Sequence, residues 1–189
     1  AKGKYIARID ADDIYEKTRL EKQLELFYTN PRLVLIFTDH ITINENGNLL
    51  DIYHFSTRHK LLLKYLKTAQ KFPSHSSSLF LANASRMVGG YRIRMELSQD
   101  RDLWLRLSEL GQISSIDKPL VRIRKWDDQI SNTLNKQQKI YSRMAITSYF
   151  IRKHGYKDPI CTDDKNYKTY RTFIKDGLKD NGIFDFFHS

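Results

Sequence analysis

Residues 3–20, GKYIARIDADDIYEKTRL, decide the reading of this chain: a β-rich run, KYIARID (residues 4–10), ends in Asp10 and passes straight into Asp12 and Asp13. A short run of aromatic and branched apolar residues bounded by polar ones reads as a buried strand. Three carboxylates within four residues repel one another unless solvent, a base or a cation offsets their charge. Hard divalent cations take such oxygen ligands and often share them with phosphates. In α/β sheets, ligands gather beyond the carboxyl ends of the strands. On spacing alone, a solvated acidic loop and a cation site stand level. An EF-hand is excluded, because its glycine and late glutamate are missing at the required spacing.

Working outward, Thr18 to Tyr28 reads as an amphipathic helix with Leu20, Leu24, Phe27 and Tyr28 on its apolar face, stopped by Asn30-Pro31. LVLIFTDHITI (residues 33–43) reads as a strand, and Asn46-Gly47 as a tight turn into a returning strand, LLDIY (residues 49–53). Leu61 to Thr68 reads as a helix. A short strand over Ser78 to Leu81 and a turn of helix then lead to Gly89-Gly90, a pair that permits dihedrals or close approaches a Cβ forbids. LSQDRDLWLRLSELG (residues 97–111) reads as a helix with Ser98 as N-cap and Gly111 just past its end. Its expected buried stripe is Leu103, Trp104, Leu107 and Leu110. QISSI and LVRIR read as two short strands around an Asp117-Lys118-Pro119 turn. Helices follow over Lys136–Lys153, with Ile140, Met144, Thr147 and Ile151 along one side, and over Asp163–Lys179. Strands interspersed with helices predict an α/β domain over residues 1–131, then a helical C-terminal extension over residues 132–189.

Composition narrows the function classes. With 189 residues and 40% hydrophobic content the chain can build a core, which excludes a disordered segment. Its longest apolar run, Leu33 to Phe37, is far too short for a membrane span. A single cysteine, Cys161, excludes an intramolecular disulfide and argues against a cysteine-based zinc site. No two of the six histidines stand at helical metal-ligand spacing; His54 and His59 are five apart. The net charge of +10 invites nucleic acid, an anionic membrane surface or a phosphorylated small molecule. Residues 132–189, with 11 basic and 6 acidic side chains, are the more densely basic part. No block of Lys or Arg and no nucleic-acid-binding motif accompanies that charge, so nucleic acid is not the expected partner. The chain opens at Ala1 without an initiator Met, which leads us to expect a piece of a longer protein.

A second acid of interest, Asp100, falls in the first turn of the helix that follows Ser98. The helix dipole favours a carboxylate there, so plain capping electrostatics is the simpler account. The functional alternative is a general base lining a pocket. Asp102 is expected on the surface or paired with Arg106 at i+4. The terminal GIFDFFHS, with Phe184, Phe186 and Phe187, reads as a packed helix end or as a contact with a membrane-borne lipid or a partner chain.

Four stretches in this order resemble family 2 glycosyltransferases of the GT-A fold: AKGKYIARIDADD; TRLEKQLELFYTNPRLVLIFTDHITINENGNLL; SHSSSLFLANASRMVGGYR; and QDRDLWLRLSELGQISSIDKPLVRIR. The resemblance covers roughly residues 1–131. It implies a partial GT-A mixed sheet with flanking helices, and transfer of a sugar from a nucleotide-diphosphate sugar to an acceptor hydroxyl with inversion. Asp10 and Asp12 match the family's DxD motif, so Asp12, assisted by Asp10, would hold Mn2+ or Mg2+ at the donor diphosphate, with Asp13 as a supporting acid. Asp100 matches the proposed catalytic base, and Gly89, Gly90 and Tyr91 the acceptor-side loop. The implied partners are the nucleotide-sugar donor and a saccharide or lipid-linked acceptor. The implied setting is the cytoplasm at the inner face of the membrane, with peripheral membrane contact, in surface polysaccharide or lipopolysaccharide assembly.

Three departures from the family pattern stand out. Gln99 replaces the acid that usually precedes the base. Ile123, Arg124 and Trp126 occupy the region where many members carry a metal-reaching His. The half of the domain that cradles the nucleotide would lie before residue 1, so the chain is expected to be the acceptor-side portion, completed by a missing N-terminal half or an oligomer partner, and weakly active or inactive alone. The rival expectation is a binding or scaffold domain derived from a transferase.

Overall fold

In the computed structural model, which describes residues 2–68, 72–126 and 135–178, the sheet is built around one strand. β3 (Leu33–Ile43) is buried along nearly its whole length: its apolar run Leu33–Phe37 is covered on both faces, and Thr38, Asp39, His40 and Thr42 are buried with it. The other strands are β1 (Tyr5–Ala7), β2 (Ile14–Tyr15), β4 (Leu49–Tyr53), β5 (Leu79–Leu81) and β6 (Gln112–Arg124). They lie in the order β1-β5-β3-β6-β2, with β4 joined to the distal part of β3. β3 and β6 run parallel and the other pairings are antiparallel, which makes the sheet mixed.

The helices are α1 (Arg19–Thr29), α2 (His59–Lys67), α3 (Ala82–Met87), α4 (Gln99–Leu107), α5 (Asn135–Lys153) and α6 (Asp164–Gly177). α4 is buried from Arg101 to Leu107. Its Leu103, Trp104 and Leu107 share one apolar cluster with Leu35 and Phe37 of β3, Met144 and Tyr149 of α5, and Tyr170 and Ile174 of α6. Burial at ~25 cal/mol per Å2 of apolar surface makes this cluster the main stabilising contribution. The GIFDFFHS segment lies outside the described residues.

Four expectations change. The first strand stops at Ala7, not Asp10: after Arg8 N–H donates to Ser78 O at 3.1 Å, the chain leaves the sheet and turns, Asp13 N–H donating to Asp10 O. α1 buries Arg19, Gln23 and Phe27, whereas Leu20 and Tyr28 are exposed. The reason is polar: Arg19 donates to the carbonyls of Arg8 and Ser78, and Gln23 to those of Ile36 and Ser77, at the frayed end of β1 and β5. Backbone groups buried there need partners, and long polar side chains supply them.

QISSI and LVRIR form one strand. The register against β3 jumps from Ile116 to Pro119 to Val121, so Asp117 and Lys118 form a bulge instead of a reversal. Proline has no N–H to donate, and a bulge is where a strand tolerates it. Finally, Leu110 is exposed because α4 has already ended at Ser108. Gly111 marks a close approach: a Cβ there would lie 2.5 Å from Val34 Cγ1 and 2.8 Å from Arg32 O.

Candidate functional site

The DADD loop spans the turn from β1 to β2 and carries its acids in three different environments. Asp10 pairs with Arg8, and its N–H donates to the Tyr15 hydroxyl at 2.7 Å. Asp12 is exposed, and its Oδ2 accepts from the Trp126 indole N–H at 3.2 Å. Asp13 is half-buried; Arg124 N–H donates to its Oδ1 at 3.1 Å, and Ser76 bonds it from the other side. Burial pushes the Asp13 carboxyl up, and its neighbours Asp12 and Asp10 push it the same way. Arg124 Nε also donates to Asp12 O. The segment that offers no histidine therefore still reaches this loop, through an arginine and a tryptophan.

Beside the loop opens a cleft of about 260 Å3 lined by Arg8, His75, Tyr91 and Gln99. The His75–Ser77 turn is held by hydrogen bonds from Ser77 and Ser78 hydroxyls back to Ser74 and His75 carbonyls. It sets the His75 ring edge-on to Trp104 of the core and Nε2 at 2.7 Å from the Tyr91 hydroxyl. Burial lowers the His75 imidazole below its ordinary value, and the acids Asp100 and Asp10 oppose that shift. Burial likewise pushes the Tyr91 hydroxyl up to about 12, and again Asp100 and Asp10 both act on it. Asp10, paired with Arg8, and Asp100, next to Gln99, thus each adjoin a residue of this cleft's lining.

Asp100 is half-buried in the first turn of α4, with Oδ1 accepting Arg101 N–H at 2.7 Å. Ser98 is the N-cap but gives no side-chain cap: its φ is +53°, and its hydroxyl donates to Gln138 O in α5. A non-glycine residue in the left-handed region stores strain, here two residues before Asp100. Gly89 and Gly90 have φ of +80° and +64°, with open space where a Cβ would sit. The pair therefore serves conformation and not close approach.

Asp102 takes the second of its two expected places, paired with Arg106 at i+4, and not the surface one. It is buried, 1% exposed, and its Oδ2 accepts from Arg106 Nε and Nη2 with Arg92 Nε at 3.4 Å. Arg106 in turn donates to the carbonyls of Val88 and Gly90. Two residues from Asp100, an identical side chain is committed to holding the glycine loop.

A second donor group comes from distant parts of the chain. Ligand atoms of Asp39, His54 and Asp117 lie within 4.8 Å of one another. Asp39 is wholly buried in β3; its Oδ2 meets His54 Nδ1 at 2.7 Å, and its Oδ1 accepts Phe55 N–H at 2.8 Å. Burial pushes the Asp39 carboxyl up. The bulge in β6 is what brings Asp117 opposite. Two oxygen donors and an imidazole suit a borderline or hard divalent cation. Among the described residues Asp10 and Asp12 do not form such a group: Asp10 is half-buried against Arg8, and Asp12 is exposed.

Sequence reasoning missed Arg8, His75 and the Asp39–His54–Asp117 group. A charged residue at the centre of an otherwise apolar strand was the available signal for Asp39, since carboxylates are almost never fully buried unpaired. His75 and Arg8 carry no periodicity that marks them.

The profile of the family described as Glycosyl transferase family 2 matches residues 1–88, from β1 through α3. An uncharacterized glycosyltransferase of Methanocaldococcus jannaschii is 32% identical over 164 residues, covering 82% of this chain and 54% of the relative. The hyaluronan synthase of Pasteurella multocida is 28% identical over 159 residues, covering 82% of this chain and 15% of that protein. The chondroitin synthase of the same species is 27% identical, covering 74% and 14%. The chain thus spans about half the length of the first relative and far less of the other two. A crystal structure of S. aureus TarS superposes with a TM-score of 0.52 over 82% of this chain and 48% of its own, at 11% identity, a likeness of fold.

Proposed function

Because the chain belongs to glycosyl transferase family 2 and carries a partial GT-A α/β fold, we propose that it takes part in transferring a sugar from a nucleotide-diphosphate donor to an acceptor hydroxyl. The transfer proceeds with inversion, in the assembly of a surface polysaccharide or lipopolysaccharide at the cytoplasmic face of the membrane. The carrying observation is one cleft lined by Arg8, His75, Tyr91 and Gln99, in which Arg8 pairs with Asp10, His75 meets the Tyr91 hydroxyl and Gln99 directly precedes Asp100.

Asp12, the most exposed acid of its loop, and Asp10 would hold Mn2+ or Mg2+, which when bound offsets charge on the diphosphate. Asp13, tied to Arg124 and Ser76, supports that loop from within. Asp100 accepts the proton of the attacking acceptor hydroxyl, and a base placed in a fixed helical turn meets the geometric demand of that role. Gly89, Gly90 and Tyr91 form the acceptor rim, with Gln99 supplying a neutral amide beside the base. Among the described residues no helix is long and apolar enough to cross a membrane; contact of this portion with a membrane-borne acceptor is proposed as peripheral.

Gln99, lining the cleft where family members carry an acid, favours a second reading in which the site binds sugar nucleotide without turning it over. One experiment separates them. With UDP-N-acetylglucosamine or UDP-glucuronic acid, Mn2+ and the intact protein, Asp100→Asn should lower UDP release by about 100- to 10,000-fold while leaving donor affinity unchanged. Asp12→Asn should weaken metal-dependent donor binding. Donor binding without UDP release in the unmutated protein supports the binding-only reading, and no effect of either substitution removes both.

A further inference from the structure

The loop that carries Tyr91 is held by a series of charged and polar contacts, most of them from the C-terminal segment between Ser148 and Tyr167. Arg92, next to Tyr91, sends Nη2 to Asp158 Oδ2 at 2.7 Å and Nε toward Asp102. Asp158 lies between α5 and α6, and is itself bonded by Ser148 and Arg152 of α5. Arg152 in turn pairs with Glu109 just after α4. Two residues further along the loop, Arg94 donates to the carbonyls of Ile160 and Thr162 and pairs with Asp164 at the start of α6. Tyr167 of α6 donates its hydroxyl to Arg94 O at 2.8 Å, and its ring lies under the Arg94 guanidinium. On the other side, Arg106 of α4 holds the carbonyls of Val88 and Gly90.

We propose that the segment from Asp158 to Tyr167 is a positioning clamp for the cleft: through Arg92 and Arg94 it fixes the 88–95 loop so that Tyr91 stays against His75. Arg92, Arg94 and Asp158 are positioning residues; they act on the acceptor side only through Tyr91. The arrangement makes physical sense of the two glycines. Positive φ at Gly89 and Gly90 lets the loop reverse direction, but glycine adds backbone freedom, and the charge-assisted hydrogen bonds that follow remove it. The clamp lies outside residues 1–88, the part of the chain that matches the family profile. Its consequence for the acceptor rests on the function proposed above, whereas the coupling of clamp to Tyr91 does not.

The coupling is read without any ligand. In the intact chain labelled with 15N-histidine, the His75 ring resonances report its contact with Tyr91, and amide hydrogen exchange reports the loop. Asp158→Asn and Arg94→Gln should each shift the His75 ring nitrogens toward those of the Tyr91→Phe variant. They should also speed exchange at amides 89–97 at least tenfold, with β3 and β6 amides unchanged as the control for folding. Arg94→Lys should restore part of both signals. Unchanged His75 resonances and loop exchange in both variants overturn the clamp. So does a variant that loses protection in β3 and β6 to the same degree, since that reports general unfolding. If the clamp variants behave as expected but UDP release from UDP-N-acetylglucosamine is absent even in the unmutated protein, the proposed transfer fails and the coupling stands.

Discussion

Residues 10–13 and residues 100–102 each carry closely spaced acids, and the structure treats them in opposite ways. In the first stretch the acids grade from exposed Asp12 to half-buried Asp13, each with one or two contacts. In the second, one helical turn divides the roles: Asp100 is half-buried beside the cleft-lining Gln99, while Asp102 is enclosed by Arg92 and Arg106. Spacing does not distinguish an acid available to a ligand from one spent on the scaffold. Burial and the number of arginines around it do.

The difference can be broken in the laboratory. The largest stability effect is expected at Asp102. Asp102→Ala leaves Arg92 and Arg106 buried without their shared carboxylate, and losing one side of a buried pair costs about 3–5 kcal/mol. Urea denaturation should show that loss for Asp102→Ala, while Asp100→Asn should stay close to the unmutated protein. Equal destabilisation at both positions would erase the contrast.

A smaller effect is expected at Asp158. Burial alone would raise its carboxyl, but hydrogen bonds from Arg92 and Ser148 and the charges of Arg92 and Arg152 outweigh it and hold it at about 2, below the ordinary 3.8. A depressed folded-state value contributes stability that is complete above the unfolded value and is lost as pH falls toward the folded one. About 2 kcal/mol should therefore disappear between pH 4 and pH 2. In Asp158→Asn that part of the pH dependence should be absent, which thermal melts across the interval can check.

The same contrast explains what the amino-acid pattern could disclose. β3 was legible because eleven consecutive residues suit a strand covered on both faces, and α4 because its apolar residues recur at helical spacing. The inward face of α1 was not, since Arg19 and Gln23 are buried by carbonyls that only the folded sheet creates. The bulge in β6 was read as a turn because Asp-Lys-Pro signals a break in pairing without saying whether the chain reverses. Asp10, Asp12, Asp13, Asp100, Gly89, Gly90 and Tyr91 could be named from sequence. His75 and Arg8, which join the acids to Tyr91, arrive through a turn and a strand end that no local pattern ties together. Asp39, His54 and Asp117 meet only across the sheet.

That last group sets the central test, because it could hold a metal ion, whereas the proposed function places the ion at Asp10 and Asp12. Sub-stoichiometric Mn2+ added to the 15N-labelled chain broadens resonances near wherever it binds. The account predicts broadening first at residues 10–13 and then at the His75 ring and the amides of Tyr91 and Asp100. Broadening centred on Asp39, His54 and Asp117, with residues 10–13 unaffected, would contradict it.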